Sequence, residues 1–324
     1  MYGGDDGWRY AVATTGLIAL VYSFVFYKLA RNTPKGSTYF KPKRAGAMEV
    51  TSKGDFFLYL VMNIPMYAAL AVLAWKLGPS NLNILNGLFT NIVYLTLASL
   101  YIYQASHVSR INAHIFKQEV PEIHRYHFKN VAILNLSYLV TFGSELAVVS
   151  MLPLFFKDTF DLPIVQACLL ASGFAFMNLL ARPSGGFFSD RFGRKKSLTI
   201  LISGLAFGYY LMSNIDSSWS LPLAVATTMT CSFFVQAGEG AVFAVVPLVK
   251  RRMTGQIAGM TGAYGNVGAV SFLTVFSFVE PSGFFLVIAG SAIVTLIAVQ
   301  FLDEPKGQTA EIMPDDSVQM IDVT

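Results

Sequence analysis

Apolar residues in this chain come in long unbroken runs, not in the alternation of a half-buried strand or the one-sided stripe of a soluble helix. Crossing about 30 Å of hydrocarbon takes roughly 20 helical residues. Nine runs reach or approach that length, near 8–28, 56–76, 84–104, 130–153, 163–188, 197–213, 221–248, 256–278 and 283–302. A helix satisfies its backbone hydrogen bonds within one segment, which hydrocarbon demands. The pattern therefore predicts an all-α polytopic membrane bundle.

Composition agrees: 54% of residues are hydrophobic and 13% charged, against about 25% charged in soluble domains. Cys168 and Cys231 both lie inside apolar runs, so neither a disulfide framework nor a cysteine metal site is built from them. Of the 23 lysines and arginines, 19 fall in alternate connections (28–55, 105–129, 189–197, 249–255 and the tail after 302). The positive-inside rule makes these cytoplasmic. The chain is then a multi-pass protein of a cell (inner) membrane, with its N-terminus outside and its C-terminus inside. The opening "MYGGDDG" has no basic n-region, which predicts that further spans precede Trp8.

Connections divide the chain into 1–28, a first helix; 29–55, a basic cytoplasmic loop; 56–104, a two-span hairpin; 105–129, a basic loop holding His107, His114, His124 and His127; 130–302, six spans on short loops; and 303–324, an acidic tail expected to be disordered. The spacing of His124 and His127 suits two ligands on one helix face, but Pro121 interrupts that stretch. A loop at the lipid headgroups is the plainer reading. No Ser/His/Asp, metal-ligand or phosphate-cradle constellation lies in the spans, so an enzyme, a cofactor and a nucleic-acid partner are not expected.

Chemistry concentrates on a few polar residues inside the runs. Arg182 sits about six residues, or roughly 9 Å, above the cytoplasmic end of its span. It either snorkels to the headgroups or serves a ligand, since an intramembrane arginine is by default a functional candidate. Its planar fork suits a trigonal oxyanion. Tyr138, Phe142 and Glu145 share one face at i, i+4 and i+7, and Asn266 lies near the middle of 256–278. Glycines 255, 259, 262, 265 and 268 each cost a helix about 1 kcal/mol relative to alanine. Either close helix approach or backbone open to a small anion explains them, with Gly262 and Gly265 as the candidate anion-binding positions beside Asn266. Glu239 lies at a depth similar to Arg182 and reads as its ion-pair partner; Glu145 or Glu239 is alternatively the protonation site of a symporter.

Gly186, Asp190, Arg191, Gly193, Arg194 and Lys195 form G-x-x-x-D-R-x-G-R-K. This resembles the loop after the second span of each half of major facilitator superfamily transporters, a conformational-gate motif, and here it follows the second span of the last six. "YLVTFGSELAVVSMLPLFF", "MNLLARPSGGFFSDRFG" and "EGAVFAVVPLVKRRMTGQIAGMTGAYGNVGAV" resemble the nitrate/nitrite porter family, particularly its cyanobacterial nitrate permease branch. The resemblance implies that 130–302 is the second half of the transporter and 1–28 its sixth span, with five spans absent and 56–104 an added hairpin. It implies Arg182 as one of two substrate arginines and Tyr138 and Phe142 as the aromatic pair on the anion. It also implies nitrate or nitrite as substrate, by alternating access between two halves in the lipid bilayer, with protons as a candidate coupling ion. The alternatives are another small anion, and a transport-incompetent fragment that binds or regulates a membrane partner.

Overall fold

The computed structural model describes residues 7–31, 47–118, 120–122, 125–304, 308–312 and 318–322. Gly7–Leu29 is helix α1, a unit to itself, with no residue buried. The second unit holds α2 (Lys53–Leu77), α3 (Gly87–Ile111), α4 (Phe128–Phe160), α5 (Ile164–Phe176), α6 (Asn178–Phe192), α7 (Arg194–Met212), α8 (Leu221–Val249), α9 (Thr254–Phe276) and α10 (Pro281–Val299). Every predicted run is helical. Seven stretches are long and apolar enough to cross a membrane, among the described residues, α5 and α6 counting together as Ile164–Phe192. The charged first turn of α7 and the glycines of α9 leave those two helices below that measure.

Helix ends follow local chemistry. Ser52 accepts the Asp55 N–H to start α2, and Asn86 accepts that of Phe89 to start α3. At the end of α4, Asp161 turns left-handed with φ of 51° before Pro163, which disfavours further helix.

Helix α4 is the axis of the bundle and packs against α5, α8, α9 and α10. It crosses α9 backbone to backbone: a Cβ on Gly143 would lie 2.6 Å from the Cα of Gly268, and one on Gly268 would strike the Leu139 carbonyl. Helices α6 and α8 meet as closely, where a Cβ on Gly185 would strike the Ala237 carbonyl and one on Gly240 that of Arg182. Gly255, Gly259 and Gly262 have nothing within 4 Å of such a Cβ. Only the last two glycines of the α9 series, Gly265 and Gly268, therefore make close contacts.

The hairpin α2–α3 docks through α2 on α9 and α4. The Tyr264 hydroxyl of α9 donates to the Met62 carbonyl, and Trp75 stacks on Phe278 at 5.7 Å. Between its own helices, Asn63, Tyr67 and Gln104 form a hydrogen-bonded cluster, the polar glue that apolar faces in lipid lack.

The structure refines three expectations. The span predicted at 163–188 is present as Ile164–Phe192, with its helical hydrogen bonding interrupted at Met177 between α5 and α6. The described parts of the connections 29–55 and 105–129 are partly packed: Met48, Val50, Ile115 and Tyr126 are buried with Phe56, Tyr59 and Phe128. Asn112 bonds both the Val50 N–H and the Met48 carbonyl, Tyr126 donates to the Glu49 carbonyl, and Asp55 accepts the first N–H of α4 from Phe128. Burial pushes the Tyr126 phenol well above the usual tyrosine range. In the tail, Gln308–Ile312 (β1) and Val318–Asp322 (β2) pair antiparallel, Gln308 opposite Asp322. Backbone pairing within a hairpin satisfies that stretch despite its acidic composition.

Candidate functional site

The break at Met177 determines what faces the bundle interior. The Phe174 carbonyl takes two donors from α8, the Ser232 hydroxyl at 2.6 Å and the Gln236 amide at 2.9 Å. Side chains of the neighbouring helix thus satisfy backbone that the break frees, as irregular backbone at membrane depth requires. α6 then restarts with Asn178 in its first turn and Arg182 one turn later.

Arg182 does not snorkel alone to the headgroups. The α6–α8 crossing sets it against Glu239, and the two form an ion pair. The same Nη2 lies 3.4 Å from Glu145 Oε2 of α4. Glu145 Oε1 also accepts from Asn178 Nδ2 at 2.8 Å and from Gln236 Nε2 at 3.2 Å. Glu239 is 1% exposed and among the described residues meets no donor besides Arg182. The Arg182 side chain is 38% exposed, and its buried Nε meets no acceptor. One cation therefore faces two carboxylates of unequal surroundings while keeping both an open side and an unused N–H.

An aromatic floor completes the arrangement. Phe142 lies 5.9 Å from the Arg182 guanidinium, and the Tyr138 and Phe142 rings stack at 5.1 Å with 7° between planes. Both rings lie against Gly265, where a Cβ would come within 2.6 Å of Phe142. Tyr138 is braced edge-on by Phe243 of α8 at 4.9 Å. Arg182, Glu145, Glu239, Tyr138, Phe142 and Gly265 thus come together from α4, α6, α8 and α9. Asn266 is exposed and donates to the Gly262 carbonyl of its own helix at 3.1 Å, and Gly262 faces open space; neither touches Arg182.

The motif 186–195 joins α6 to α7. Gly193, at φ of 96°, is the turn, and Glu304 stands 3.1 Å from where its Cβ would be. Asp190 faces Arg194 at 3.7 Å, and Arg191 lies over Phe187. The tightest helix approach falls on Gly185, one residue before the motif's Gly186, whose added Cβ would find only ordinary contact at 3.8 Å. The cap of α7 comes from elsewhere: Glu304 accepts the Arg194 N–H, Lys195 donates to the Gln300 carbonyl, and Lys129 pairs with Asp303 at 2.8 Å. The end of α10 is thereby strapped to the starts of α4 and α7.

Of the histidines, His107 lies in α3, His114 in the turn Ala113–Phe116 and His127 just before α4; His124 lies outside the described residues. Among the described residues no group of three His, Cys, Asp or Glu is placed to hold a metal.

Residues 134–316 match the Major Facilitator Superfamily. The chain belongs to the major facilitator superfamily. Within it, the chain is similar to proteins named as nitrate/nitrite transporters. It is 48% identical to the nitrate/nitrite transporter NrtP of Picosynechococcus over 94% of this chain and 60% of that protein. Identity to NrtP of Nostoc punctiforme is 40% over 95% of this chain and 62% of that protein. The rice high-affinity nitrate transporter 2.3 matches at 40% over 43% of this chain and 28% of its own length. The chain thus spans about three fifths of the NrtP proteins it matches. Like others of this superfamily it is a multi-pass membrane protein.

Asn178, Ser232 and Gln236 were not singled out from sequence. Their signal was faint but present, an amide or hydroxyl inside an otherwise apolar run, with Gln236 three residues from Glu239 on one face of α8.

Proposed function

We propose that this chain is the carboxy-terminal part of a secondary transporter of nitrate or nitrite. It works by alternating access together with the amino-terminal portion its longer relatives possess, and takes protons as the coupling ion. Its N-terminus lies outside and its C-terminus inside the cell membrane. The observation that carries this reading is Arg182: a permanent cation with an open side and an unpartnered Nε over an aromatic floor. A planar oxyanion presents to it the same kind of edge that a carboxylate does. Tyr138 and Phe142 close the site from below, and Asn266 and Gly262 line the open face of α9. The two carboxylates supply candidate proton sites, and the 186–195 turn acts as the conformational gate. The names of the NrtP relatives support the substrate class.

The test is uptake of labelled nitrate by the full-length protein carrying this chain, reconstituted in vesicles with an imposed proton gradient. Saturable uptake should follow the gradient and be blocked by excess nitrite more strongly than by chloride. Equal competition by chloride points to another small anion, and absence of any anion flux supports a binding or regulatory membrane partner.

A further inference from the structure

Glu145 and Glu239 are not equivalent. Three donors reach Glu145: Arg182, Asn178 and Gln236. Among the described residues Arg182 alone reaches Glu239, which is buried in α8. Of the elements packed against α8, α6 also carries Asp190 and Arg191 in its last turn, and the turn Arg251–Met253 carries Arg251 and Arg252 beyond the end of α8; among the described residues the cation paired with Glu239 is Arg182. In α4, Tyr138 stacks on Phe142. In α7, the Tyr209 hydroxyl donates to Ser144, and Arg194, Lys195 and Lys196 form the first turn, where Arg194 faces Asp190 and Lys195 donates to the Gln300 carbonyl. In α9, Tyr264 donates to Met62. Among their residues α5, α9 and α10 contain no Asp, Glu, Lys or Arg. Cys231, on α8 itself, is buried against Gly208 of α7.

With both acids ionised, the trio carries one net negative charge. An arriving nitrate makes it two around one guanidinium, in surroundings where like charges are weakly screened. One proton restores the original charge. The acid that takes it is the one with least to hold its charge once the anion shares Arg182, because a buried carboxylate without donors is costly. Glu145 keeps its two amides.

We propose, building on the nitrate-transport reading above, that Glu239 takes up one proton from solvent for each anion bound at Arg182, while Asn178 and Gln236 act as positioning residues that hold Glu145 ionised as the permanent counter-ion. Anion and proton then enter and leave together, and the site's net charge stays constant through the cycle. The Gln236 amide has a second task on the same atom, since its Nε2 also donates to the Phe174 carbonyl. The helix break and the counter-ion are thereby fixed by one side chain.

Equilibrium binding of nitrate to the purified full-length protein, measured as a function of pH, tests this without needing transport. Uptake of one proton on binding makes affinity fall about tenfold per pH unit as pH rises through the range where free Glu239 is ionised. In Glu239→Gln that slope should be flat, and in Glu145→Gln it should persist. A second variant separates a flat slope from misfolding of Glu239→Gln. With Asn178→Leu and Gln236→Met together, Glu145 loses the amides that hold its charge and competes with Glu239 for the same proton, so the tenfold slope should persist in that background even when Glu239→Gln is added. A slope that survives Glu239→Gln alone, that vanishes in Glu145→Gln, or that stays flat when Glu239→Gln is combined with the double variant overturns the assignment of roles. Nitrate binding that is pH-independent in the unmodified protein overturns the assignment while leaving the anion site standing. No nitrate binding at any pH overturns the proposed function itself.

Discussion

Arg182 keeps its charge at every accessible pH, so neighbouring side chains must compensate it inside the membrane. Two carboxylates and one aromatic ring do so. Lysine at this position keeps a charge but replaces a planar fork with a point donor, and a planar anion loses its paired contacts. Arg182→Lys should therefore insert normally and lose nitrate uptake by about 100-fold, the scale of two charge-assisted hydrogen bonds. Uptake within a few-fold of the unmodified protein would take Arg182 out of the substrate path. Arg182 itself was legible in the sequence, as a cation misplaced in an apolar run, and Glu239 as an acid at matching depth. Glu145 was legible as a companion of Tyr138 and Phe142 on α4 and as a candidate protonation site. That α4 and α8 bring both acids to one guanidinium depends on two helix crossings, and no spacing along the chain encodes them.

Those crossings are decided at the scale of the element. Gly143 and Gly268 let α4 and α9 touch at the backbone, which lays Tyr138 and Phe142 on Gly265. A methyl group there meets main chain, which cannot rotate away as a side chain would. Gly143→Ala should cost about 1–3 kcal/mol by overpacking, read as a lower unfolding midpoint in detergent and a weakened response to nitrate. Gly259→Ala, with open space around it, should leave the midpoint unchanged or raised. Equal effects from both would mean that the α4–α9 contact is not what the series supports. From sequence alone the five glycines are indistinguishable; their neighbours separate them. The break at Met177 was likewise invisible, because no proline or charge marks it and its stabilising donors, Ser232 and Gln236, lie on another helix.

At the scale of the whole bundle, several positions lack a packed neighbour among the described residues. Arg182 is open on one side, Asn266 is exposed, and Gly255, Gly259 and Gly262 face nothing within 4 Å. A central anion path needs walls on both sides, and the proposed function assigns the opposite wall to the amino-terminal portion of the longer relatives. The 324-residue chain alone should insert in membranes but give no nitrate flux in proteoliposomes, and co-expression with that portion should restore some. Robust saturable flux from the chain alone would require two copies to supply both walls.

Long apolar runs determined the helices, and charge in alternate connections supports an orientation, because hydrocarbon admits few backbone solutions and penalises misplaced cations strongly. The same physics made Arg182 conspicuous. What only the tertiary structure decided is contact between segments far apart in sequence: Glu145 with Arg182 and Gln236, Met62 with Tyr264, Arg194 with Glu304. It also turned the apolar Met48 and Val50, hidden in a basic connection, into core. An apolar pattern reports that a face must be covered, and in a membrane lipid can cover it as well as protein. Which face meets protein is settled by close packing and by the hydrogen bonds that buried polar groups need, and both arise only when the helices come together.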